Sequence, residues 1–80
     1  MRILICDDDT ELSQQLKKIL VAFFRKSSLK PPEIVIYNSG ENLLNDPGCK
    51  DIVFLDIEMP GMNGIYVGKE LKQKNKNTII

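Results

Sequence analysis

Carboxylates follow two short apolar runs, and their placement indicates a cation site. Three come directly after the first run and two come at the end of the third, namely Asp7, Asp8, Asp9, Asp56 and Glu58. If these runs are neighbouring strands, at least three carboxylates converge, and two such charges about 4 Å apart repel by about 4 kcal/mol at an effective dielectric constant of 20. A bound hard cation would relieve that repulsion, and oxygen ligands of this kind are those that Mg²⁺ prefers.

Two of these acids can be interpreted individually, one as a helix cap and one as a functional residue. Asp9 is best explained as a helix cap, because it stands immediately before a helical pattern. Asp56 follows four apolar residues and precedes Ile57, so we expect it to be held against the sheet. Asp56 is therefore the acid most favoured for a functional role.

The apolar runs that must position these acids predict strands. They cover 3–6, 34–37 and 52–55, and each ends at a polar cluster that a helical pattern follows. The third run is apolar without alternation, which predicts burial on both faces, as in a parallel sheet. Alternating strands and helices with short connections predict an α/β fold with right-handed crossovers. In such a sheet, ligands bind beyond the carboxyl ends of the strands.

Three helices are predicted between and after the strands. The first is about four turns long and is capped by Asp9 or Thr10, while Ser39 and Asn63 suit the caps of the second and third. The first helix has one apolar face, predicted to consist of Leu12, Leu16, Ile19, Leu20, Phe23 and Phe24. A fourth apolar run begins at Thr78.

Composition excludes several classes of protein. The 80 residues make one domain or less, and 42% of them are hydrophobic, which is too many for a disordered tail. Eleven basic and eleven acidic residues give no net charge to attract nucleic acid or an anionic membrane. No apolar run approaches the roughly 18 residues of a membrane span, and no secretory signal is evident. We therefore expect a cytoplasmic location and no membrane partner.

The two cysteines do not indicate a metal or redox motif. Cys6 lies in an apolar run and Cys49 in a turn, without CxxC spacing, and the chain has no histidine. We interpret Cys6 as a small buried residue and Cys49 as a loop thiol.

Two segments resemble the receiver domain of two-component response regulators. Residues 51–64, Asp-Ile-Val-Phe-Leu-Asp-Ile-Glu-Met-Pro-Gly-Met-Asn-Gly, are similar to the family's phosphoacceptor strand and the loop after it. Residues 3–9 resemble its first strand and acidic pair, and 37–44 its second strand–helix junction. The resemblance covers the chain in order. It implies a flavodoxin-like (CheY-like) three-layer fold with strand order 2-1-3-4, present here as a partial domain over 1–80 that ends at the start of the fourth strand.

The resemblance also implies roles for individual residues. Asp56 would accept a phosphoryl group from a phosphohistidine on a sensor histidine kinase. Asp8 and Asp56 would bind Mg²⁺ through carboxylate oxygens, Glu58 through its backbone carbonyl, and Asp7 through a metal-bound water. Pro60 would stiffen the adjoining loop, Gly61 would give it a permissive backbone, and Met59 and Met62 would pack. Such a chain is a signalling switch and not an enzyme.

The sequence departs from the family pattern in one respect. The family's switch Ser/Thr follows its fourth strand and its phosphate-binding Lys follows its fifth, and neither position lies within residues 1–80. The sequence also resembles the LytTR-type subgroup in its long first helix, in the Lys-Pro-Pro before strand two and in the loop of residues 54–64. The DNA-binding output domain of that subgroup would lie outside this chain.

Two other functional classes compete with this interpretation. A haloacid-dehalogenase-type phosphohydrolase also uses a strand-end aspartate, but it requires a second Asp where this chain has Glu58. The other alternative is a degenerate receiver with a purely structural or binding role, against which the intact acidic residues argue.

A half-covered sheet would also favour a homodimer or an exchanged assembly of the chain.

Overall fold

The computed structural model describes residues 1–59, 61 and 63–80, so Pro60 and Met62, for which we predicted a stiffening and a packing role, lie outside the described residues. Strands and helices alternate as the sequence predicts. They are β1 (Arg2–Cys6), α1 (Thr10–Lys26), β2 (Glu33–Tyr37), α2 (Gly40–Leu44), β3 (Ile52–Leu55) and α3 (Gly64–Lys74). None of the helices in the described part of the chain has the length and apolarity that a membrane span requires.

The sheet is parallel and has the order β2-β1-β3, which agrees with the expected order for these three strands. Cys6 lies opposite both Tyr37 and Leu55, so the carboxyl ends of all three strands meet at one edge. The fourth apolar run reaches β3 from its free side. Ile79 forms a parallel bridge with Ile52, and its carbonyl accepts a hydrogen bond of 2.8 Å from the Val53 amide.

One face of the sheet carries the main core. Alternate residues of β1 and β3 point to this face and pack against α2, α3 and Met59, and the buried cluster consists of Leu4, Cys6, Leu43, Val53, Met59, Val67 and Leu71. The structure thus confirms the packing role of Met59 and the burial of Cys6. Burial, helped by the charges of Asp7 and Asp56, raises the pKa of the Cys6 thiol to about 11, so this thiol is protonated at neutral pH.

Helix α1 packs on the opposite face less completely than predicted. The Asp9 side chain accepts a hydrogen bond of 3.1 Å from the Leu12 amide, which identifies Asp9 and not Thr10 as the cap. The helix has 17 residues, nearly five turns where four were expected. Its buried residues are only Ser13 and Phe24.

The six apolar residues lie on one side of α1, as predicted, but only part of that side packs on the sheet. The stripe that contains Leu20 and Phe24 lies against the sheet, whereas Leu12, Ile19 and Phe23 are exposed. The prediction that β3 is buried on both faces is wrong, because α1 does not fully cover its side of the sheet. Phe54, which points to the α1 side, remains 39% exposed.

A network of charged side chains closes the end of the sheet where β1 begins. The Arg2 guanidinium donates two hydrogen bonds to the Asp46 carboxylate, of 2.8 and 3.0 Å, and a third of 2.6 Å to Glu33. The Tyr37 hydroxyl also donates to Asp46, and the buried Lys50 ammonium donates to the Asp46 carbonyl at 2.6 Å. Asp46 thus ties the α2–β3 connection to β1 and β2.

Candidate metal centre

Two strand ends hold the principal acids side by side. Asp7 directly follows β1 and Asp56 directly follows β3. The Asp56 amide donates a hydrogen bond of 2.9 Å to the Cys6 carbonyl, and the Asp7 amide donates one of 3.1 Å to the Tyr37 carbonyl. Both aspartates are therefore fixed by extensions of the sheet's own hydrogen bonding, and their spacing is set by the distance between adjacent strands.

Three carboxylates meet at this edge. One oxygen from each of Asp7, Asp8 and Asp56 lies within 4.8 Å of the others. Ligands at about 2.0–2.1 Å from an octahedral Mg²⁺ are separated by at most roughly 4.2 Å, so small side-chain movements would bring these oxygens around one ion. Asp7 and Asp56 are half-buried, whereas Asp8 is exposed. The donor set and its accessibility therefore fit a hard divalent cation that keeps part of its water shell.

Backbone amides orient two of the carboxylates. Asp7 accepts a hydrogen bond of 2.9 Å from the Asp9 amide, and Asp56 accepts one of 3.1 Å from the Glu58 amide. The Glu58 side chain is exposed and does not belong to the cluster of three. Any contribution of Glu58 to a cation site would therefore come from its backbone, as the family resemblance implies.

The pKa of Asp7 reflects the electrostatics of the cluster. The hydrogen bond from the Asp9 amide lowers the pKa of Asp7, but burial, the negative charge of Asp56 and hydrogen bonds with Asp8 and Asp56 together raise it above its ordinary value. The net increase means that the cluster disfavours a third negative charge. A cation at the same place would reverse that effect, because it favours the ionised carboxylates.

The acids stand at the mouth of a cleft on the α1 side of the sheet. The cleft has a volume of about 240 Å³, and Asp7 and Asp56 line it together with the apolar side chains of Ile5, Leu16 and Phe54. A group bound at the carboxylates can therefore be approached from solvent.

The loop after Asp56 is anchored by a residue whose role sequence reasoning missed. Gly64 begins α3, and its amide donates a hydrogen bond of 3.1 Å to the Ile57 carbonyl. A Cβ atom at this position would lie 2.5 Å from the Ile57 Cα and closer still to the Asp56 carbonyl oxygen. Only glycine allows α3 to start this close to the strand end. The sequence signal was the Asn63-Gly64 pair, of which only Asn63 was interpreted, correctly, as the helix cap.

The other loop glycine behaves as expected. Gly61 has a φ of +83°, a conformation that side-chain-bearing residues rarely adopt, which confirms the prediction of a permissive backbone there.

Comparison with known proteins identifies relatives of this chain. Residues 3–80 match the family model described as the response regulator receiver domain. The transcriptional regulatory protein CpxR of Klebsiella pneumoniae is 34% identical over 82 residues, covering 99% of this chain, and the phosphate regulon transcriptional regulatory protein PhoB of Escherichia coli is 31% identical over 74 residues, covering 92%. The chain spans about a third of the length of these relatives, 32% and 30% respectively.

Solved structures agree with the sequence relatives. The response regulator TrrA of Thermotoga maritima, determined in complex with Mg²⁺-BeF, superposes with a TM-score of 0.79 at 35% identity, over 96% of this chain and 63% of that one. A response regulator from Colwellia psychrerythraea gives a TM-score of 0.67 at 30% identity, over 92% of this chain and 55% of that one. The flavodoxin-like fold predicted from the sequence is thereby confirmed.

Proposed function

The chain belongs to the response regulator receiver domain family, and from that membership we propose that it accepts a phosphoryl group on Asp56 from a sensor histidine kinase, with Mg²⁺ as cofactor. The observation that carries the proposal is the convergence of Asp7, Asp8 and Asp56 within 4.8 Å at the carboxyl edge of the sheet. The chain is an acceptor that is modified once, and we do not assign it a catalytic turnover of its own.

Asp56 is the nucleophile in this proposal because of its position. It is half-buried, its backbone is fixed by β1, and it lines the cleft on the α1 side of the sheet. A carboxylate oxygen of Asp56 attacks the phosphorus atom of a phosphohistidine. The new O–P bond replaces the N–P bond, and the imidazole nitrogen leaves with the electron pair and takes up a proton. The product is a mixed anhydride, an aspartyl phosphate.

The neighbouring acids prepare the site for the incoming group. Asp8 and Asp56 are proposed to hold the cation through carboxylate oxygens, Glu58 through its backbone carbonyl and Asp7 through a water molecule. When bound, the Mg²⁺ ion offsets the negative charge of the phosphoryl oxygens beside three carboxylates. The amides of Asp9 and Glu58 meanwhile hold Asp7 and Asp56 in fixed orientations, which limits the entropy lost on binding.

The consequence of phosphorylation would be electrostatic. An aspartate with one negative charge becomes a group with about two, and new acceptor oxygens appear at the edge of the sheet. We propose that this change is relayed to an output domain outside the chain. The relatives are named as transcriptional regulatory proteins, which supports a DNA-binding output and a cytoplasmic location.

The type of output domain is a separate matter. The relatives do not support the LytTR-type subgroup that the loop and first helix suggested, since the names they carry are CpxR and PhoB. We therefore favour an output of the PhoB kind over a LytTR one.

The family match also favours the receiver over a haloacid-dehalogenase-type phosphohydrolase.

Magnesium binding by the intact chain tests the cation site. We expect Mg²⁺ to cause saturable shifts in the amide NMR signals near Asp7, Asp8 and Asp56, and at 100 times its dissociation constant to stabilise the fold by about 2.7 kcal/mol. Asp8→Asn removes one ligand, so both effects should be lost. Without metal this variant should unfold no more easily than the wild type, because it also removes one of three like charges.

Asp51→Asn is the matched control, because Asp51 lies at the opposite end of β3 and its side chain accepts a hydrogen bond from the Arg2 amide, away from the three acids. It should bind Mg²⁺ as the wild type does. A folded wild-type chain whose spectrum does not respond to Mg²⁺ would rule out the cation site and favour the structural role. Equal binding by Asp8→Asn would instead place the ion elsewhere.

A further inference from the structure

The loop after β3 meets the start of α3 at an Asn-Gly pair, which is a chemically reactive sequence. The side-chain amide of an asparagine can be attacked by the backbone nitrogen of the next residue, and glycine, which has no Cβ, shields that nitrogen least. Residues 63–64 are the one Asn-Gly pair in the 80-residue sequence. Asn63 is exposed to water, which the second step of such a reaction consumes.

Both reacting groups are held by hydrogen bonds in the folded chain. The Gly64 amide, whose nitrogen would attack, donates a hydrogen bond of 3.1 Å to the Ile57 carbonyl. The Asn63 carboxamide oxygen accepts a hydrogen bond of 2.7 Å from the Ile65 amide, which caps α3. The attack requires the Gly64 nitrogen to lose its proton and the Asn63 side chain to turn back onto that nitrogen. Both hydrogen bonds must therefore break before the reaction can begin.

Packing opposes the same movement. Gly64 is buried, and a Cβ atom placed on it would lie 2.5 Å from the Ile57 Cα, so the two backbone segments are in direct contact. The start of α3 therefore cannot rearrange while it lies against the strand end. Reaction must pass through a local opening in which α3 separates from the loop, and its rate falls with the small population of that open form.

We propose that Asn63 and Gly64 form a spontaneous deamidation site that folding keeps closed and that opens only when the start of α3 separates from Ile57. In the reaction, the Gly64 nitrogen forms a bond to the side-chain carbonyl carbon of Asn63, and ammonia leaves with the proton that this nitrogen loses. Water then opens the cyclic imide at either of its two carbonyl groups. One product is aspartate, and the other is isoaspartate, in which the backbone runs through the former side chain.

The two products should differ in their effect on α3. Aspartate at position 63 can still cap the helix, because its side-chain oxygen accepts the same hydrogen bond from the Ile65 amide. Isoaspartate adds one carbon atom to the backbone before Gly64, which displaces the Gly64 amide from the Ile57 carbonyl. The isoaspartyl chain, isolated by chromatography, should therefore unfold at a lower temperature than Asn63→Asp, the matched control with the same atoms and charge. Equal unfolding temperatures would contradict the importance of this contact.

Deamidation rates in the folded and the unfolded chain test whether the site is closed. Peptide mapping by mass spectrometry, after incubation at mildly alkaline pH with and without guanidinium chloride, measures the rate at each asparagine. We expect Asn63 to be the fastest asparagine in denaturant and to react at least about tenfold more slowly in the folded chain, because opening must come first. Asn38, which is exposed and precedes Ser39, is the internal control and should be slowed less.

Three results would overturn the proposal. Equal rates at Asn63 in the folded and the unfolded chain would show that the hydrogen bonds and packing at Gly64 do not close the site. Equal slowing of Asn38 and Asn63 would show that folding protects both asparagines without a specific contribution from Gly64. Absence of reaction at Asn63 in denaturant would show that the pair is not a deamidation site. These measurements involve neither Mg²⁺ nor a phosphoryl donor, so they test this proposal independently of the proposed function.

Discussion

Asp46→Asn is expected to lower the free energy of unfolding by about 3 kcal/mol, because it breaks a buried ion pair and leaves the other partners in place. The Asp46 side chain is 2% exposed, and it accepts hydrogen bonds from Arg2, Tyr37 and the Gly48 amide. The neutral amide of the variant cannot accept two hydrogen bonds from the Arg2 guanidinium, nor balance Lys50, whose side chain is 5% exposed. Urea unfolding at neutral pH measures the loss.

Glu33→Gln provides a matched comparison, since Glu33 contacts the same guanidinium but its side chain is 63% exposed. Exposed ion pairs contribute only about 0–1 kcal/mol, so this variant should be nearly as stable as the wild type. Equal losses in the two variants would mean that burial of Asp46 does not determine the strength of this network.

The contribution of Asp46 should also depend on pH. The hydrogen bonds from Arg2 hold the pKa of Asp46 well below its ordinary range, with those from Tyr37 and Gly48 acting in the same direction and burial opposing them. A carboxyl whose pKa is lowered by folding stabilises the protein above its unfolded pKa of about 3.9 and loses that effect as the pH falls further. The difference in stability between wild type and Asp46→Asn should therefore be full at pH 7 and shrink in acid.

Gly64→Ala is expected to destabilise the chain by about 2 kcal/mol and to weaken Mg²⁺ binding. The new methyl group would overlap the backbone at Asp56 and Ile57, which cannot rotate away as a side chain would. Either α3 or the loop after β3 must move, and the Asp56 carboxylate moves with the loop. Thermal unfolding and the Mg²⁺ titration record the two effects.

Gly68→Ala in the same helix should have the opposite effect. A Cβ atom there would meet only the Leu55 Cδ2 at 3.7 Å, an ordinary contact. Alanine is favoured over glycine by up to about 1 kcal/mol inside a helix, so this variant should be more stable than the wild type. Destabilisation of similar size in both variants would contradict the importance of the close backbone approach at Gly64.

The strand ends and their acids were predictable because the information is local. Each apolar run ends where a polar cluster begins, and parallel strands bring such ends to one edge, so the meeting of Asp7, Asp8 and Asp56 followed from the pattern once the sheet order was known. That order came from the family resemblance and not from the periodicity. The metal and phosphoryl roles of these acids remain predictions.

Tertiary contacts were harder to predict from the sequence. Nothing local indicates that Asp46 reaches Arg2, 44 residues away in the sequence, or Tyr37, nine residues away. The exposure of Phe54 and of the α1 residues Leu12, Ile19 and Phe23 likewise depends on what covers that face, whereas periodicity reports only that α1 has apolar residues. Gly64 was missed because its importance comes from a backbone approach across the loop.

Phosphoryl transfer to Asp56 is the central claim, and intact-mass analysis tests it most directly. The chain is incubated with a small phosphodonor such as phosphoramidate, with Mg²⁺ or with a chelator, beside Asp56→Asn and the control Asp51→Asn. We predict that the wild type and Asp51→Asn gain the mass of one phosphoryl group only with Mg²⁺, in a base-labile bond, and that Asp56→Asn gains none. Labelling that survives in Asp56→Asn, or a folded wild-type chain that binds Mg²⁺ but is never labelled, would contradict the assignment of Asp56 as the acceptor.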